Sequence, residues 1–124
     1  MTKSWIALAC AAFAVTAPAV DAAELTGLWA RGDGKAQVKV ERCGDSFCAT
    51  NVWIRPGTAH ERVGDQLIMD VAPVEPGRYE GEAEDVRRGM TYSMTITLGD
   101  NAMRTRGCVL GQLLCKSARW TSVQ

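Results

Sequence analysis

Four cysteines standing in two close pairs set the frame for this chain. Cys43-Gly44-Asp45-Ser46-Phe47-Cys48 and Cys108-Val109-Leu110-Gly111-Gln112-Leu113-Leu114-Cys115 each enclose a turn between two strand-like runs. Ala36 to Glu41 leads into the first pair and Ala49 to Ile54 leaves it. Ala102 to Gly107 leads into the second, and Lys116 to Thr121 leaves it. Oxidised, each pair would staple a hairpin by restricting the unfolded chain over a short loop, a contribution on the order of 2 kcal/mol. The spacings C-x4-C and C-x6-C match neither the tight C-x2-C knuckle of zinc sites nor the C-x-x-C of redox pairs. Zinc and redox chemistry are therefore the weaker readings, and no metal or cofactor is expected.

The N-terminus points to an oxidising compartment. Lys3 supplies a small positive region, and Trp5 to Val15 is apolar but too short to span a bilayer. Val20 and Ala22 fit the small-residue pattern of a signal-peptidase site. The expectation is a signal peptide over residues 1–22 cut after Ala22, with a cut after Ala19 as second choice. No stop-transfer charges follow, which argues against a membrane anchor. Ala7 and the short apolar stretch before Cys10 argue against a lipoprotein cut at Cys10. Removing residues 1–22 takes Lys3, Asp21 and Cys10 from a chain with 14 basic and 14 acidic side chains and five cysteines. What remains is neutral and has an even number of cysteines, which in an exported chain reads as disulfides. The expected location is periplasmic or secreted, with residues 23–124 forming a single domain of modest core and no transmembrane segment.

Strands follow one another at close spacing. Leu25 to Ala30 is a first run, and Asp33-Gly34 is a strong hairpin turn. Ala36, Val38 and Val40 alternate with Gln37, Lys39 and Glu41 in the second. The third contains Thr50, Val52 and Ile54. Pro56-Gly57 and Gly64-Asp65 mark Arg55 to Asp65 as a loop. Gln66 to Val71 is the fourth run, ended by Pro73. In the fifth, Arg78 to Glu84, Tyr79, Gly81 and Ala83 share a face opposite Glu80, Glu82 and Glu84. The sixth carries the clearest period of two: Met90, Tyr92, Met94, Ile96 and Leu98 against Thr91, Ser93, Thr95 and Thr97. In the seventh, Met103 and Thr105 alternate with Arg104 and Arg106. The eighth, Leu114 to Thr121, ends in Arg119-Trp120. No helical period is sustained. The expected fold is all-β, a small antiparallel up-and-down barrel of about eight strands. An eight-stranded interior is either just filled by side chains or holds one small ligand.

These motifs, taken in order, carry a resemblance. Gly27-Leu28-Trp29, Asp33-Gly34-Lys35, Val38-Lys39-Val40, Cys43-Gly44 to Cys48 and Val52-Trp53 open the pattern. Tyr79-Glu80-Gly81, Gly89-Met90-Thr91-Tyr92, Arg106-Gly107-Cys108 to Cys115 and Trp120-Thr121 complete it. Together they resemble the DUF2147 family of exported bacterial proteins over nearly the whole of residues 23–124. The chain departs from the family pattern with Tyr79 where a tryptophan is common, and Glu84-Asp85-Val86 where Tyr-Asp-Pro is common. The resemblance implies a lipocalin-like fold and leaves the function open. Gly27-x-Trp29 is also similar to the first-strand signature of lipocalins, in which a last-strand arginine stacks on the tryptophan. Arg119 is the positional candidate for that role.

An up-and-down order sends alternate turns to opposite barrel ends. Linking a cysteine of the first pair to one of the second would bridge the barrel height, about 15–20 Å, against the ~6 Å a disulfide allows. The expected pairing is Cys43–Cys48 and Cys108–Cys115. The same alternation gathers Gly32-Asp33-Gly34, the Arg55–Asp65 loop, Asp85–Gly89 and Val109–Gln112 at one end. That end holds Arg31, Lys35, Arg55, Arg62, Arg87 and Arg88 against Asp33, Glu61, Asp65 and Asp85. Mixed charge of this kind serves solubility. It also suits a basic mouth for an anionic group, with Arg87 and Arg88 at the rim.

Catalysis finds little support. Gly44-Asp45-Ser46-Phe47 resembles the nucleophile block of GDSL-type hydrolases, but Ser46 would need a histidine oriented by an acid. His60 is the only histidine and sits in a Pro/Gly loop. The later Asp-x-x-His block is absent. In a turn between cysteines, Gly, Asp and Ser serve as turn formers. Met90, Tyr92 and Met94 read either as core or as the lining of a ligand cavity, since methionine adapts to varied apolar shapes. Trp29, Trp53 and Trp120 read as core. The neutral balance and scattered basic residues argue against nucleic acid. The expectation is a non-enzymatic binding module for a small apolar or amphiphilic molecule. The alternative is a protein-interaction module, such as an inhibitor of a cell-envelope enzyme, presenting loops on a stapled scaffold.

Overall fold

The computed structural model describes residues 25–124. The expected signal peptide, with its cut after Ala22, lies outside the described residues, as does Cys10. Eight strands follow in order: β1 Gly27–Arg31, β2 Ala36–Cys43, β3 Ser46–Ile54, β4 Gln66–Glu75, β5 Arg78–Asp85, β6 Met90–Gly99, β7 Ala102–Val109 and β8 Leu114–Ser122. Each pairs antiparallel with its sequence neighbours, and β1 closes on β8 through Trp29↔Ser122, Ala30↔Thr121 and Arg31↔Trp120. The fold is a closed up-and-down barrel. Closure removes both sheet edges, so every strand finds a partner on each side over part of its length.

Both stapled hairpins form as the alternation of ends requires. Cys43 is bonded to Cys48 and Cys108 to Cys115. The first lies at the end opposite the second, because the β2–β3 and β7–β8 turns fall at opposite ends of an up-and-down barrel.

The inward face of each strand follows its alternation. Trp29, Val38, Val40, Phe47, Ala49, Met69, Tyr79, Ala83, Met94, Ile96 and Met103 are buried. The end holding the β2–β3, β4–β5 and β6–β7 turns is packed shut. Leu25 is fully buried there beneath the barrel, and the Trp29 indole Nε1–H donates to the Leu25 carbonyl at 3.0 Å. Leu25 thus seals the floor just ahead of β1 rather than opening the first strand. The Phe47 and Tyr79 rings meet edge to face with centroids 6.3 Å apart. At the floor end Arg42, directly opposite Phe47 in the β2–β3 ladder, lays its guanidinium over the Phe47 ring at 4.5 Å, a cation–π contact.

Three expectations need correction. Trp53 is not core but 43% exposed. The β2–β3 register shifts beside Gln37 and Val38, pairing Val38 with Asn51 but Gln37 with Trp53. One extra residue in β3 reverses the alternation, so Asn51 and Ile54 follow Phe47 and Ala49 inward and Trp53 turns outward. Arg119 does not stack on Trp29. It is exposed on the outer wall, because Trp120, facing inward opposite Met103 and Arg31, sets the opposite parity for its neighbour. Finally, Pro73 does not end β4, which continues to Glu75. Past Met69, β4 has no β3 partner, and its ladder to β5 slips between Pro73 and Glu75. A missing N–H is tolerated at such an edge.

Candidate functional site

Above the sealed floor the barrel is hollow. A cavity of about 1070 Å³ opens at the end holding the β1–β2, β3–β4, β5–β6 and β7–β8 connections. Its lower wall is apolar: Val40, Met69, Met94, Ile96, Met103 and Trp120 all line it. The Trp120 indole N–H donates to the Thr105 hydroxyl at 3.0 Å, which satisfies the one polar atom that the ring brings inside. Tyr92 and Met94 of the β6 stripe line the cavity. Met90, at the start of the strand, is 41% exposed at the rim and lies outside the lining, its sulfur 3.8 Å from the Tyr92 hydroxyl. Arg88 reaches the lining and Arg87 does not.

The mouth is built from charge. The loop between β3 and β4 crosses it, with Arg55 to Glu61 all facing the cavity. Two straps hold this loop. On one side the Arg31 guanidinium, facing inward from the end of β1, makes a bidentate pair with Glu61, Nη2 to Oε2 at 2.8 Å, and also reaches Asp33. On the other side Arg87 pairs with Asp65 at 2.7 Å and 2.9 Å, and both Arg87 and Arg88 donate to the His60 carbonyl. Arg88 also pairs at 2.6 Å with Asp85, whose side chain is almost wholly buried. Arg87 and Arg88 therefore anchor the loop rather than stand free at the rim. His60, whose carbonyl accepts from both arginines, adopts a positive φ of 66° within the crossing.

Once these pairs are drawn, the four acids of the mouth, Asp33, Glu61, Asp65 and Asp85, are each matched by an arginine. Lys35, Arg55 and Lys116 also line the cavity and form no ion pair among the described residues. Lys116 lies near enough to Glu61 to favour its ionised form. Sequence reasoning missed Lys116. The signal was present, because Lys116 shares parity with the inward Trp120.

The hydrogen bond from Arg31 holds the Glu61 carboxyl below its ordinary pKa against the opposing effect of burial, and Arg87 does the same for Asp65. A carboxylate with a lowered pKa contributes fully above its free value and loses that contribution as pH falls through the lowered one. Both straps should thus be intact at neutral pH and release the β3–β4 loop only below the ordinary carboxylate range. An NMR pH titration should show Glu61 and Asp65 ionising below free carboxylates. Arg31→Met should return Glu61 upward and leave Asp65 in place. A Glu61 midpoint unmoved by that change would disprove the strap.

Ser46 and His60 lie at opposite ends of the barrel. The Ser46 hydroxyl donates to Asp70 on β4, and no histidine comes near it. Cys43, Cys48, Cys108 and Cys115 are bonded in two pairs, and among the described residues no three His, Cys, Asp or Glu side chains gather as a metal site. The comparison with known families bears on the same residues. The family model described as an uncharacterized protein conserved in bacteria, DUF2147, matches residues 27–122, from the first residue of β1 to the last of β8. The chain belongs to the DUF2147 family. The DUF2147 match thus covers all eight strands and the mouth, and begins two residues after Leu25 of the floor. No curated protein and no solved structure matches the chain.

Proposed function

We propose that this DUF2147 domain is an exported, non-enzymatic carrier of one anionic amphiphile. The apolar part would occupy the barrel, and the charged head would lie at the mouth against Lys35, Arg55 and Lys116. The observation that carries this reading is a barrel cavity with an apolar lower wall and cations without ion pairs at its entrance. Its volume, about 1070 Å³, stands at the upper end of small-ligand pockets, roughly 300–1,000 Å³. A filled barrel would have supported the protein-interaction alternative instead. The separation of Ser46 from His60 supports a binding role over hydrolysis.

The test is a fluorescence titration with 1-anilinonaphthalene-8-sulfonate, an apolar ring system with an anionic head, alongside native mass spectrometry of periplasmic protein. Wild type should bind saturably, one molecule per chain. Met94→Trp fills the wall and should weaken binding about tenfold or more, in line with a lost apolar contact surface of 1–3 kcal/mol. Lys35→Ala with Lys116→Ala should weaken it several-fold at low salt, with the difference shrinking at high salt. Absence of saturable binding, or equal affinity in Met94→Trp, would overturn the carrier reading.

A further inference from the structure

The β7–β8 hairpin has features that the cavity does not use. At its tip Leu110, Leu113 and Leu114 are 70%, 82% and 61% exposed. These are large apolar side chains clustered within five residues on one turn of the mouth end. The turn is unusual in its backbone. Leu110, Gly111 and Gln112 take φ values of 53°, 63° and 74° in succession. A left-handed conformation costs a non-glycine residue about 1 kcal/mol, so this shape is held against a local preference. The Cys108–Cys115 disulfide joins the strands directly at the base of the tip.

The stem below the tip is basic. Arg104, Arg106 and Arg119 are exposed on the outer wall, and no described carboxylate pairs with any of them. Arg104 and Arg119 are direct cross-strand partners, an arrangement that costs stability through like-charge repulsion. Between them a shallow cleft of about 250 Å³ is lined by Arg104, Ser117, Ala118 and Arg119. The rest of the outer wall differs. β6 presents Thr91, Ser93, Thr95 and Thr97, and β5 presents Glu80, Glu82 and Glu84. Around the circumference, β7 and β8 carry arginines without ion pairs beside the apolar tip, whereas the outward Lys39 and Arg78 are matched by Glu41 and by Glu75 and Glu80.

We propose that the β7–β8 hairpin docks this domain on an anionic phospholipid surface. The three leucines enter the interface, while Arg104, Arg106 and Arg119 lie along the headgroups. Six residues of strand separate Arg104 from Leu110, about 20 Å, so the barrel rests on its β7–β8 side with the tip inserted. An apolar element beside a basic face is the combination that binds anionic bilayers, each part supplying what the other lacks. Charge complementarity selects an anionic lipid, since the cleft and its unpaired arginines face outward and have no acid of their own. The pose brings the cavity mouth to the bilayer, but it rests on residues separate from the cavity lining.

The test is sedimentation of the full chain with sonicated vesicles of phosphatidylcholine alone or with a third phosphatidylglycerol. All variants share one N-terminus, so only differences among them are read. Wild type should bind the anionic vesicles at least tenfold better than the neutral ones, and less so at high salt. Arg104→Ala with Arg119→Ala should weaken anionic binding about thirtyfold, on the basis of about 1 kcal/mol per arginine near the surface. Its thermal midpoint should hold or rise, because a repulsive pair is removed. Leu110→Asp with Leu113→Asp should weaken binding at least tenfold. Leu113→Trp should show a blue-shifted emission on anionic vesicles. Equal sedimentation of the arginine variant and wild type would overturn the proposal. So would unshifted emission at the tip, or retention on an acidic protein with no preference for anionic vesicles.

Discussion

Replacing Gly81 with alanine is expected to destabilise the barrel by about 3 kcal/mol or more, enough to lower its thermal midpoint by more than about 10 °C. Gly81 faces Val71 in the β4–β5 ladder. A Cβ there would stand 1.9 Å from the Asp70 carbonyl oxygen and 2.9 Å from the Val71 Cα. Both neighbours are backbone, so relief requires strand β4 to move away from β5. Moving β4 would also disturb Asp70, which accepts the Ser46 hydroxyl hydrogen bond and ties the β2–β3 hairpin to the wall. Gly107 provides the control. It too lies in a strand and faces inward, but a Cβ there meets only the Tyr92 side chain at 3.8 Å, an ordinary contact. Gly107→Ala should melt at or slightly above wild type, since it restricts the unfolded chain without strain. A Gly81→Ala protein that melts with wild type would mean that the β4–β5 approach is not a constraint.

Much of the barrel was legible because strands advertise themselves through a period of two. The β6 run from Met90 to Leu98 shows it without interruption, and Tyr92, Met94 and Ile96 reach the cavity as that period demands. The cysteine pairs were legible for a different reason. Each encloses a turn, and an up-and-down order leaves no short path between the two pairs. What escaped was every feature that depends on a break in the period. The β2–β3 register shift leaves no mark in composition, yet it moves Trp53 from the core to the surface. The place of Arg119 near the chain's end suggests the stacking role, whereas its side is decided by one residue of parity relative to Trp120.

The mouth was legible in content and not in pairing. Alternation of ends gathers its charged residues correctly, because it needs only the order of turns. Which base meets which acid depends on how the β3–β4 loop crosses the opening, and that path rests on local geometry at His60, Gly57 and Gly64, all with positive φ. Hence Arg87 and Arg88, which look free in the sequence, are the anchors of the loop. Lys35 and Lys116 remain without ion pairs. The hollow interior was undecidable from composition alone. The same stripe of methionines and aromatics suits a filled core or a lined cavity, and only the summed volume across eight strands separates the two.

Truncating Tyr79 to alanine should cost about 3–5 kcal/mol, the range for removing a buried aromatic. Tyr79 is among the largest fully buried side chains, and it meets Phe47 edge to face at 6.3 Å. Together with Leu25 and Trp29 it forms the floor beneath the cavity, and none of these four lines the cavity itself. The hollow above makes the floor matter more than its size suggests. A barrel with an open interior has fewer apolar contacts per strand, so its packed end must supply a larger share of the burial that offsets chain entropy. Arg42 over Phe47 adds a contact at the solvent edge of the floor but cannot replace the Tyr79 ring. In urea denaturation the Tyr79→Ala midpoint should fall well below wild type with little change in slope, since the native barrel is retained. Tyr79→Phe keeps the ring and should lose much less. If both variants unfold at the wild-type midpoint, the floor carries none of the stability assigned to it.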